Sequence, residues 1–594
     1  MTDDLDAALK AVDEASGGRG FFGHLDDATR RAVLSEVSWT RVNGGERLFR
    51  QGEAGGALFV VITGRLQAVM ETPGQPPRVI GDISRGEVVG EMSVLTGDPR
   101  SLTVRAVRDT TLVRFSKEAF ERVAAQNPQA MLAITRRIIR RLEQRNAGLA
   151  PAAVVSTIAV VPVTPDVDHR DVADRLVRSL EPAGPTVRLT RDLVDASLAG
   201  LDDLAASRWL DDQERRHAFT VYVADASPTP WTRRSIRQAD RILLVANGDE
   251  APDGTAVARR IDCLGLSDGL GRRELVLLHA SAGATPRSTT RWLDATGATS
   301  HHHVCPGVPE HYERVARFLT GRATGLVLGG GGARGFAHIG VIRALCEAGI
   351  PIDAVGGTSM GAIIAAQCAM DLDPDALVAL NRRHWIEKNP LKDKTLPVVA
   401  LLTCRRLDRM VNDMFGETEI PDLWRRYFCV STDLTHATLR VHQRGLLARA
   451  ARASMSLPGI AIPVQDSGAL LIDGGVLNNL PADIMKTCCG GTVIAVNVTP
   501  DKDLAVSGPY PEAISGWRLL LNRKRLKLPG ILAIMMRTTM LASTHQRERV
   551  AADIDLLLNP AVEQFGMFDW DKLDAIAKAG YDCARAALDR KQAQ

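Results

Sequence analysis

Two consecutive strand patterns, each running into a glycine-rich turn and then a helix, constrain this sequence more than any other feature. The first strand, 325–328, ends in Gly-Gly-Gly-Gly-Ala-Arg-Gly at 329–335, and a helical pattern follows. Backbone amides clustered at a helix N-terminus form a ready site for an anionic oxygen. Glycine loops of this kind also occur in dinucleotide-binding folds, so the first unit alone leaves the chemistry open.

The second unit decides between these alternatives. The strand 352–355 leads into Gly-Thr-Ser-Met-Gly at 357–361 and then into another helix. A serine between two glycines at a strand-to-helix turn is typical of a nucleophile elbow, because the glycines permit the tight turn that exposes the hydroxyl. A dinucleotide fold would need its ribose-binding acid at the end of this strand, whereas Asp353 lies near its start. The pattern therefore predicts Ser359 as a nucleophile beside an anion site.

A serine hydroxyl needs a base to become a useful nucleophile. The only histidine after Asp473 is His545, in a charged helical stretch, which disfavours a Ser-Asp-His order. Asp473 itself follows the strand pattern 470–472 and precedes Gly474 and Gly475. A carboxylate delivered onto a glycine turn suits a Ser–Asp dyad. Without the other two motifs, the same residues would indicate an ordinary hairpin turn.

The three motifs GGGGARG, GTSMG and DGG, in this order, resemble the signatures of patatin-like phospholipases, and 452–458 resembles the block before the family's aspartate. The resemblance implies an α/β/α sandwich in which Ser359 attacks an acyl ester, Asp473 accepts its proton and an acyl-serine intermediate forms. It also implies an oxyanion hole, worth about 3 kcal/mol per donor, and we expect no catalytic cofactor or metal. The implied oxyanion donors are the backbone amides of Gly330, Gly331 and Gly332. The motif-supporting residues are Arg334, Gly335, Gly357, Gly361, Gly474 and Gly475.

Arg334 has two interpretations that the sequence leaves open. It either steadies the glycine loop or attracts a lipid phosphate.

The 594 residues are too many for one core, and three segments differ in pattern. Residues 1–146 combine short strands and glycine turns, including strands at 58–62 and 66–70 around a turn at 63–64, and end in an apolar-periodic helix at 128–146. They predict a small β-barrel or roll. Residues 156–320 alternate strands and helices, which indicates a middle parallel α/β domain. Residues 324–594 form the predicted hydrolase domain.

The middle domain is similar to that of neuropathy target esterase and its bacterial relatives, on the residues 207–210, Thr-Pro-Trp at 229–231 and 236–240. Those proteins join cyclic-nucleotide-binding-like domains to a patatin domain and act on phospholipids and lysophospholipids. This sequence departs from them in showing one sensor domain and no N-terminal membrane helix. We interpret 229–231 as a packing loop. We interpret His301–His303 as a solvated loop, because consecutive histidines cannot all face one metal ion.

Residues 90–95 and 97–104 resemble the phosphate-binding cassette of cyclic-nucleotide domains. The resemblance implies cAMP or cGMP as a regulatory ligand, and Ser101 does not decide between them. Arg100 would pair with the cyclic phosphate, amides around Arg100 and Ser101 would hydrogen-bond it, and Glu91, next to Gly90, would accept from the ribose hydroxyl.

Composition narrows the remaining possibilities. A net charge of +3 and no helix-turn-helix after the sensor disfavour a nucleic-acid partner. Nine scattered cysteines suit a reducing cytoplasm.

We find no signal sequence and no spanning helix in the sequence. We therefore expect a cytoplasmic protein that meets phospholipid or lysophospholipid peripherally, at the inner face of a membrane. The aromatic, basic and apolar segment 517–529 either lies in the bilayer interface or covers the hydrolase core. The alternative function is a cyclic-nucleotide sensor with an inert hydrolase domain.

Overall fold

The computed structural model describes residues 38–72, 78–83, 86–126, 155–197, 209–210, 212–214, 216–266, 273–499 and 550–592. The predicted helix 128–146, the segment 517–529 and His545 lie outside the described residues. The chain divides into two compact units. The first comprises Met1–Asn247, Asp253–Leu277 and Leu293–His301. The second comprises Gly248–Pro252, Leu278–Trp292 and His302–Gln594.

The N-terminal sheet is a β-roll of antiparallel strands around one apolar core. Its order is β1-β6-β3-β4, with β2 on β6 and β5 on β3. The core includes Phe59, Leu66 and Leu112. The elements are β1 (Ser38–Val42), β2 (Arg47–Phe49), β3 (Ala57–Met70), β4 (Arg78–Ile83), β5 (Val88–Val89), α1 (Glu91–Thr96), β6 (Thr103–Ser116) and α2 (Lys117–Gln126).

The predicted turn at 63–64 is wrong, because β3 runs unbroken through it. The pairing of β3 with β6 instead shifts register between Val61 and Leu66. Gly64 has φ +90°, and a Cβ there would lie 2.5 Å from the carbonyl oxygen of Asp109. A β-bulge uses a glycine without ending the strand. Gly64 therefore belongs to a bulge and not to the turn that the sequence predicts.

The middle domain contains the parallel layer that the sequence predicts. The order β11-β10-β7-β9-β8 includes parallel pairs of β10 with β7, β7 with β9, and β9 with β8. The elements are β7 (Thr157–Pro162), α3 (His169–Leu180), β8 (Thr186–Leu189), α4 (Arg191–Ser197), β9 (Phe219–Val223), α5 (Pro230–Gln238), β10 (Arg241–Asn247), α6 (Gly254–Cys263), β11 (Arg273–Leu278), α7 (Thr289–Thr296), β12 (Ser300–Val304) and α8 (Pro309–Leu319).

Two details of this region bear on the sequence-based interpretations. Trp231 is buried and its indole nitrogen donates to the carbonyl oxygen of Val223 at 2.8 Å, which confirms a packing role for 229–231. The solvated-loop interpretation of His301–His303 is wrong, because His302 and His303 are buried on β12. His303 Nε2 contacts the carbonyl oxygen of Pro421 at 2.8 Å, and His303 Nδ1 contacts His279 Nε2 at 2.9 Å, so protein atoms meet both ring nitrogens.

The C-terminal sheet is mixed, with the order β17-β18-β15-β14-β13-β19-β20 and β16 on β15. The neighbours β13, β14, β15, β19 and β20 pair in parallel, and β17, β18 and β16 join antiparallel. The strands are β13 (Thr324–Leu328), β14 (Ala354–Gly357), β15 (Arg426–Asp433), β16 (Thr438–His442), β17 (Val464–Asp466), β18 (Ala469–Asp473), β19 (Thr492–Val496) and β20 (Leu556–Leu558). The helices are α9 (Ala337–Glu347), α10 (Met360–Ala369), α11 (Pro374–Asn381), α12 (Arg405–Phe415), α13 (Leu447–Ser454), α14 (Ala482–Cys489) and α15 (Leu573–Gln592).

Helices cover both faces of this sheet, as the α/β/α expectation requires. Leu326 and Leu328 of β13 belong to the core shared with α9, α10 and α15, whereas Val327 belongs to the core shared with α14. Alternate side chains of a strand point to opposite faces, so one buried strand serves two cores.

Candidate active site

Ser359 stands on a sharp turn between β14 and α10. Its φ of +56° and ψ of −123° are unusual for a residue with a side chain, and such conformations cost about 1–3 kcal/mol. Its amide donates to Ser454 Oγ at 3.0 Å, and Ser454 Oγ donates to the carbonyl oxygen of Val430 at 2.7 Å. Ser454 at the end of α13 and Val430 on β15 therefore hold the turn in place.

Two glycines allow this turn to press against the end of β13. A Cβ on Gly357 would lie 2.5 Å from the carbonyl oxygen of Leu328, and one on Gly361 would lie 2.0 Å from it. Neither position has room for a side chain. The glycines on both sides of Ser359 are therefore required by close approach of backbone to backbone.

The glycine loop after β13 lies directly beside the serine. A Cβ on Gly330 would be 3.0 Å from Ser359 Cβ. The Gly330 amide donates to Asn479 Oδ1 at 3.1 Å, and the Gly330 carbonyl accepts from Asn479 Nδ2 at 3.2 Å. The amides of Gly331 and Gly332 have no acceptor within the described part of the chain. They are therefore the donors that this loop leaves available.

The far side of the loop is anchored to a C-terminal segment. Arg334 Nε donates to the carbonyl oxygen of Phe565 at 2.7 Å, and the Ala333 amide donates to that of Met567 at 2.8 Å. Gly335 packs so closely on Met360 that a Cβ would lie 2.6 Å from its Cγ. These contacts give Arg334 a steadying role.

Asp473 ends β18 and is buried. Its amide donates to the carbonyl oxygen of Ser456 at 3.0 Å, and its Oδ1 accepts from the Gly475 amide at 2.8 Å. Gly474 packs on β15, where a Cβ would lie 2.4 Å from the carbonyl oxygen of Val430. Hydrogen bonds at the main chain and at the side chain of Asp473 therefore fix the position of its carboxylate.

Burial raises the pKa of Asp473 to about 6, while hydrogen bonding from the Gly475 amide and the Ser359 side chain acts in the opposite direction. The contact with Ser359 is loose, since Asp473 Oδ2 has no fully formed hydrogen bond within the described residues. Catalytic hydrogen bonds often tighten only when substrate is bound. A buried carboxyl with a raised pKa beside a serine hydroxyl is suited to accept a proton near neutral pH.

Three family models match the chain. Residues 326–486 match the patatin-like phospholipase family, residues 154–321 match the Neuropathy Target Esterase family P-loop like domain, and residues 39–127 match the cyclic nucleotide-binding domain. The chain therefore contains a patatin-like phospholipase domain, preceded by a Neuropathy Target Esterase family P-loop like domain and a cyclic nucleotide-binding domain.

Curated relatives agree along most of the chain. Patatin-like phospholipase domain-containing protein 6 of Homo sapiens is 34% identical over 93% of this chain and 44% of its own length. Neuropathy target esterase sws of Drosophila melanogaster is 32% identical over 95% of this chain and 43% of its own length. Patatin-like phospholipase domain-containing protein 7 of Rattus norvegicus is 32% identical over 94% of this chain and 46% of its own length. The chain thus spans less than half the length of these relatives.

Sequence reasoning missed two polar residues that support the glycine loop of the patatin-like domain. One is Asn479, which follows the DGG motif. The other is His338, whose Nε2–H donates to the carbonyl oxygen of Gly329 at 2.8 Å. Burial lowers the pKa of His338 to about 4, so its ring is neutral at pH 7. The only available signal was a polar residue inside an otherwise apolar pattern, which does not reveal the partner.

The cyclic-nucleotide-binding domain places Arg100 against Gly90 and near Glu91. Arg100 is buried and donates to the carbonyl oxygens of Gly90 at 2.9 Å and Ala57 at 2.6 Å. Its guanidinium lies 4.1 Å from the centre of the Phe49 ring. Burial lowers its pKa, and the nearby carboxylate of Glu91 opposes this effect. Ser101 lies next to Arg100 and is exposed.

Among the described residues, no three His, Cys, Asp or Glu side chains are placed to hold a metal ion. The described helices also include none with the length and apolar character needed to cross a membrane.

Proposed function

We propose that this protein hydrolyses carboxylic esters of phospholipids or lysophospholipids, with Ser359 as the nucleophile and Asp473 as the base. The observation that carries the proposal is the position of Ser359. It stands at a strained elbow, with the glycine loop on one side and a buried carboxyl of raised pKa on the other. Relatives named phospholipases and esterases support a lipid ester as the substrate class.

The residues divide the reaction into two steps. Ser359 Oγ attacks the ester carbonyl carbon while its proton passes to Asp473, and the carbonyl oxygen becomes an oxyanion. The oxyanion collapses, the alcohol leaves with the proton from Asp473, and the acyl group remains on Ser359. Water then attacks the acyl-serine with Asp473 as base, which releases the fatty acid and restores the hydroxyl.

The oxyanion is bound by the glycine loop, and the contacts of Gly330 suggest which amides act. Asn479 already occupies the Gly330 amide, so the amides of Gly331 and Gly332 are the better donors. The 3₁₀ helix Gly332–Phe336 and then α9 follow, and their N-terminal backbone dipoles favour negative charge at this end.

Fluorophosphonate labelling and release of fatty acid test the proposal. We expect labelling of the wild type at Ser359, and both readouts should disappear in Ser359→Ala. Ser467→Ala is the matched control, because Ser467 is an exposed serine that also has positive φ. A wild type that neither reacts with the probe nor releases fatty acid would show that the hydrolase domain is inert.

We further propose that cAMP or cGMP binds next to Gly90, Glu91, Arg100 and Ser101 and regulates hydrolysis. Arg100 supplies the positive charge for the phosphate, and Glu91 supplies an acceptor for the ribose. Calorimetry with each nucleotide tests the binding, and fatty acid release with and without nucleotide tests the regulation.

We also propose that the protein works from the cytoplasmic side, at the inner face of a membrane. The segment 517–529 is one candidate for that contact, and a second candidate lies within the described residues.

A further inference from the structure

An apolar hairpin projects from the patatin-like domain between the 3₁₀ helix Pro390–Lys392 and α12. We define it as residues 394–402. A bridge joins Lys394 to Leu402, and the Thr395 amide donates to the carbonyl oxygen of Leu401 at 3.0 Å. The side chains at its tip are strongly exposed, with fractions of 79% for Leu396, 80% for Val398 and 68% for Val399. Such exposure of three neighbouring aliphatic side chains marks an interaction surface.

The base of the apolar hairpin is firmly held, so its tip is presented in a fixed direction. The amides of Leu401 and Leu402 donate to the carbonyl oxygens of Gly459 and Ile460, each at 3.0 Å. Asp393 Oδ2 accepts from Thr403 Oγ1 at 2.7 Å. A fixed apolar tip requires no ordering when it enters another phase, so docking loses little conformational entropy.

Four cationic side chains flank the tip of the apolar hairpin along the chain. Lys392, Lys394, Arg405 and Arg406 are exposed and form no ion pair with a carboxylate of the described residues. An anionic membrane surface has acyl chains beneath negatively charged headgroups. The apolar tip suits the acyl chains, and the cationic side chains suit the headgroups. A protein partner would not require this separation into an apolar tip and a cationic base.

The hairpin is continuous with the proposed catalytic residues. The segment 454–460 provides Ser454 Oγ to the Ser359 amide and the Ser456 carbonyl to the Asp473 amide. The same segment accepts the hairpin amides at Gly459 and Ile460. One short stretch of backbone therefore fixes the position of the hairpin relative to the dyad.

We propose that the apolar hairpin inserts into the interface of an anionic phospholipid bilayer and places the patatin-like domain where an acyl ester can reach Ser359. The proposal rests on the proposed lipid hydrolase function. It identifies the form in which the substrate is met, namely a membrane surface rather than a dispersed monomer.

The test compares wild type with the triple variant Leu396→Ser, Val398→Ser, Val399→Ser in the 594-residue chain. Flotation uses phosphatidylcholine vesicles with and without phosphatidylglycerol. We expect the wild type to float with the anionic vesicles, and we expect the triple variant to lose at least about 10-fold in binding. Leu193→Ser, which removes an exposed leucine from α4, is the control and should bind as wild type does.

Two activity assays separate this proposal from the hydrolase function. The triple variant should hydrolyse the water-soluble ester p-nitrophenyl butyrate at the wild-type rate, and should lose about as much activity on vesicles as it loses in binding. If wild type cleaves neither substrate, the hydrolase function fails, while flotation still decides the docking. If wild type does not float, or if the triple variant floats equally well, the docking proposal is overturned.

Insertion itself is measured with Val398→Trp. We expect its additional fluorescence to be quenched by vesicles containing brominated acyl chains, relative to wild type. Absence of extra quenching would place the tip outside the bilayer and overturn the proposal.

Sedimentation tests whether a second copy of the chain occupies the tip instead of a membrane. A wild-type dimer that becomes a monomer in the triple variant would show that it does, and would overturn the proposal.

Discussion

Asn479 hydrogen-bonds to both the backbone N–H and the backbone C=O of Gly330. Its Oδ1 accepts from the Gly330 amide at 3.1 Å, and its Nδ2 donates to the Gly330 carbonyl at 3.2 Å. The same carbonyl also accepts from Thr499 Oγ1 at 3.1 Å. The Asn479 side chain thus makes the pair of hydrogen bonds that a neighbouring strand would make. It thereby sets the orientation of the Gly331 and Gly332 amides that follow in the loop.

Asn479→Ala removes this support without touching Ser359 or Asp473. We expect kcat to fall by about 100-fold with little change in KM, because small displacements of transition-state groups have effects of this size. Steady-state kinetics measures the two constants, and thermal unfolding checks the fold. A variant that keeps its kcat, or in which kcat and KM change together with loss of the fold, would contradict a positioning role.

Ser359 combines a positive φ with a side chain, and this combination predicts a difference between two inactive variants. Ser359→Gly should be about 1 kcal/mol more stable than Ser359→Ala, because glycine adopts this conformation without strain. Chemical denaturation of both variants measures the difference. Equal stabilities would mean that the elbow is not strained.

The raised pKa of Asp473 predicts the acid limb of the pH profile. The base must be ionised to accept the serine proton, so kcat/KM should rise with pH and level off above a pKa of about 6. An aspartate with an ordinary pKa would place this limb near pH 3.8. Hydrolysis of p-nitrophenyl butyrate between about pH 4 and pH 9 distinguishes the two results, with Ser467→Ala as control.

Asp473→Asn should abolish hydrolysis and increase stability at neutral pH. Because the folded pKa is raised, the folded wild type binds more protons than the unfolded chain between about pH 4 and pH 6, so its stability falls as pH rises through this window. The asparagine variant has no such loss. Its advantage should grow to at most about 3 kcal/mol above pH 6. A variant less stable than wild type at pH 8 would show that the carboxylate is stabilising there.

Arg100 predicts the behaviour of the nucleotide site. Arg100→Lys keeps the charge but loses the planar fork that can bind a phosphate and a backbone carbonyl together, so the affinity for cAMP or cGMP should fall at least about 10-fold. Calorimetry measures the affinity, and unfolding of the variant checks the contacts with Gly90 and Ala57. Failure of wild type to bind either nucleotide would refute the sensor proposal.

The sequence by itself determined the features that a few neighbouring residues encode. The strand at 325–328, the glycine turns and the position of Ser359 all follow from local patterns, because a strand, a turn and a helix start are set by residues within a few positions. The second strand was predicted at 352–355 and lies two positions later, at Ala354–Gly357. The same reasoning failed at Gly64, where a glycine serves a bulge as readily as a turn. It also failed at His302 and His303, because the burial of polar side chains depends on distant acceptors.

Only the tertiary structure decided what those features meet. Asn479 and Gly330 are 149 positions apart, and no local signal links them. Burial by the surrounding sheet and helices raises the pKa of Asp473, and burial likewise turns Arg100 onto backbone carbonyls. The exposure of the apolar hairpin is also a tertiary fact, since the same Leu-Pro-Val-Val sequence would otherwise indicate a core strand. The physical reason is common to all four cases: desolvation and hydrogen-bond pairing depend on which segments pack together, and that is fixed only when the chain is folded.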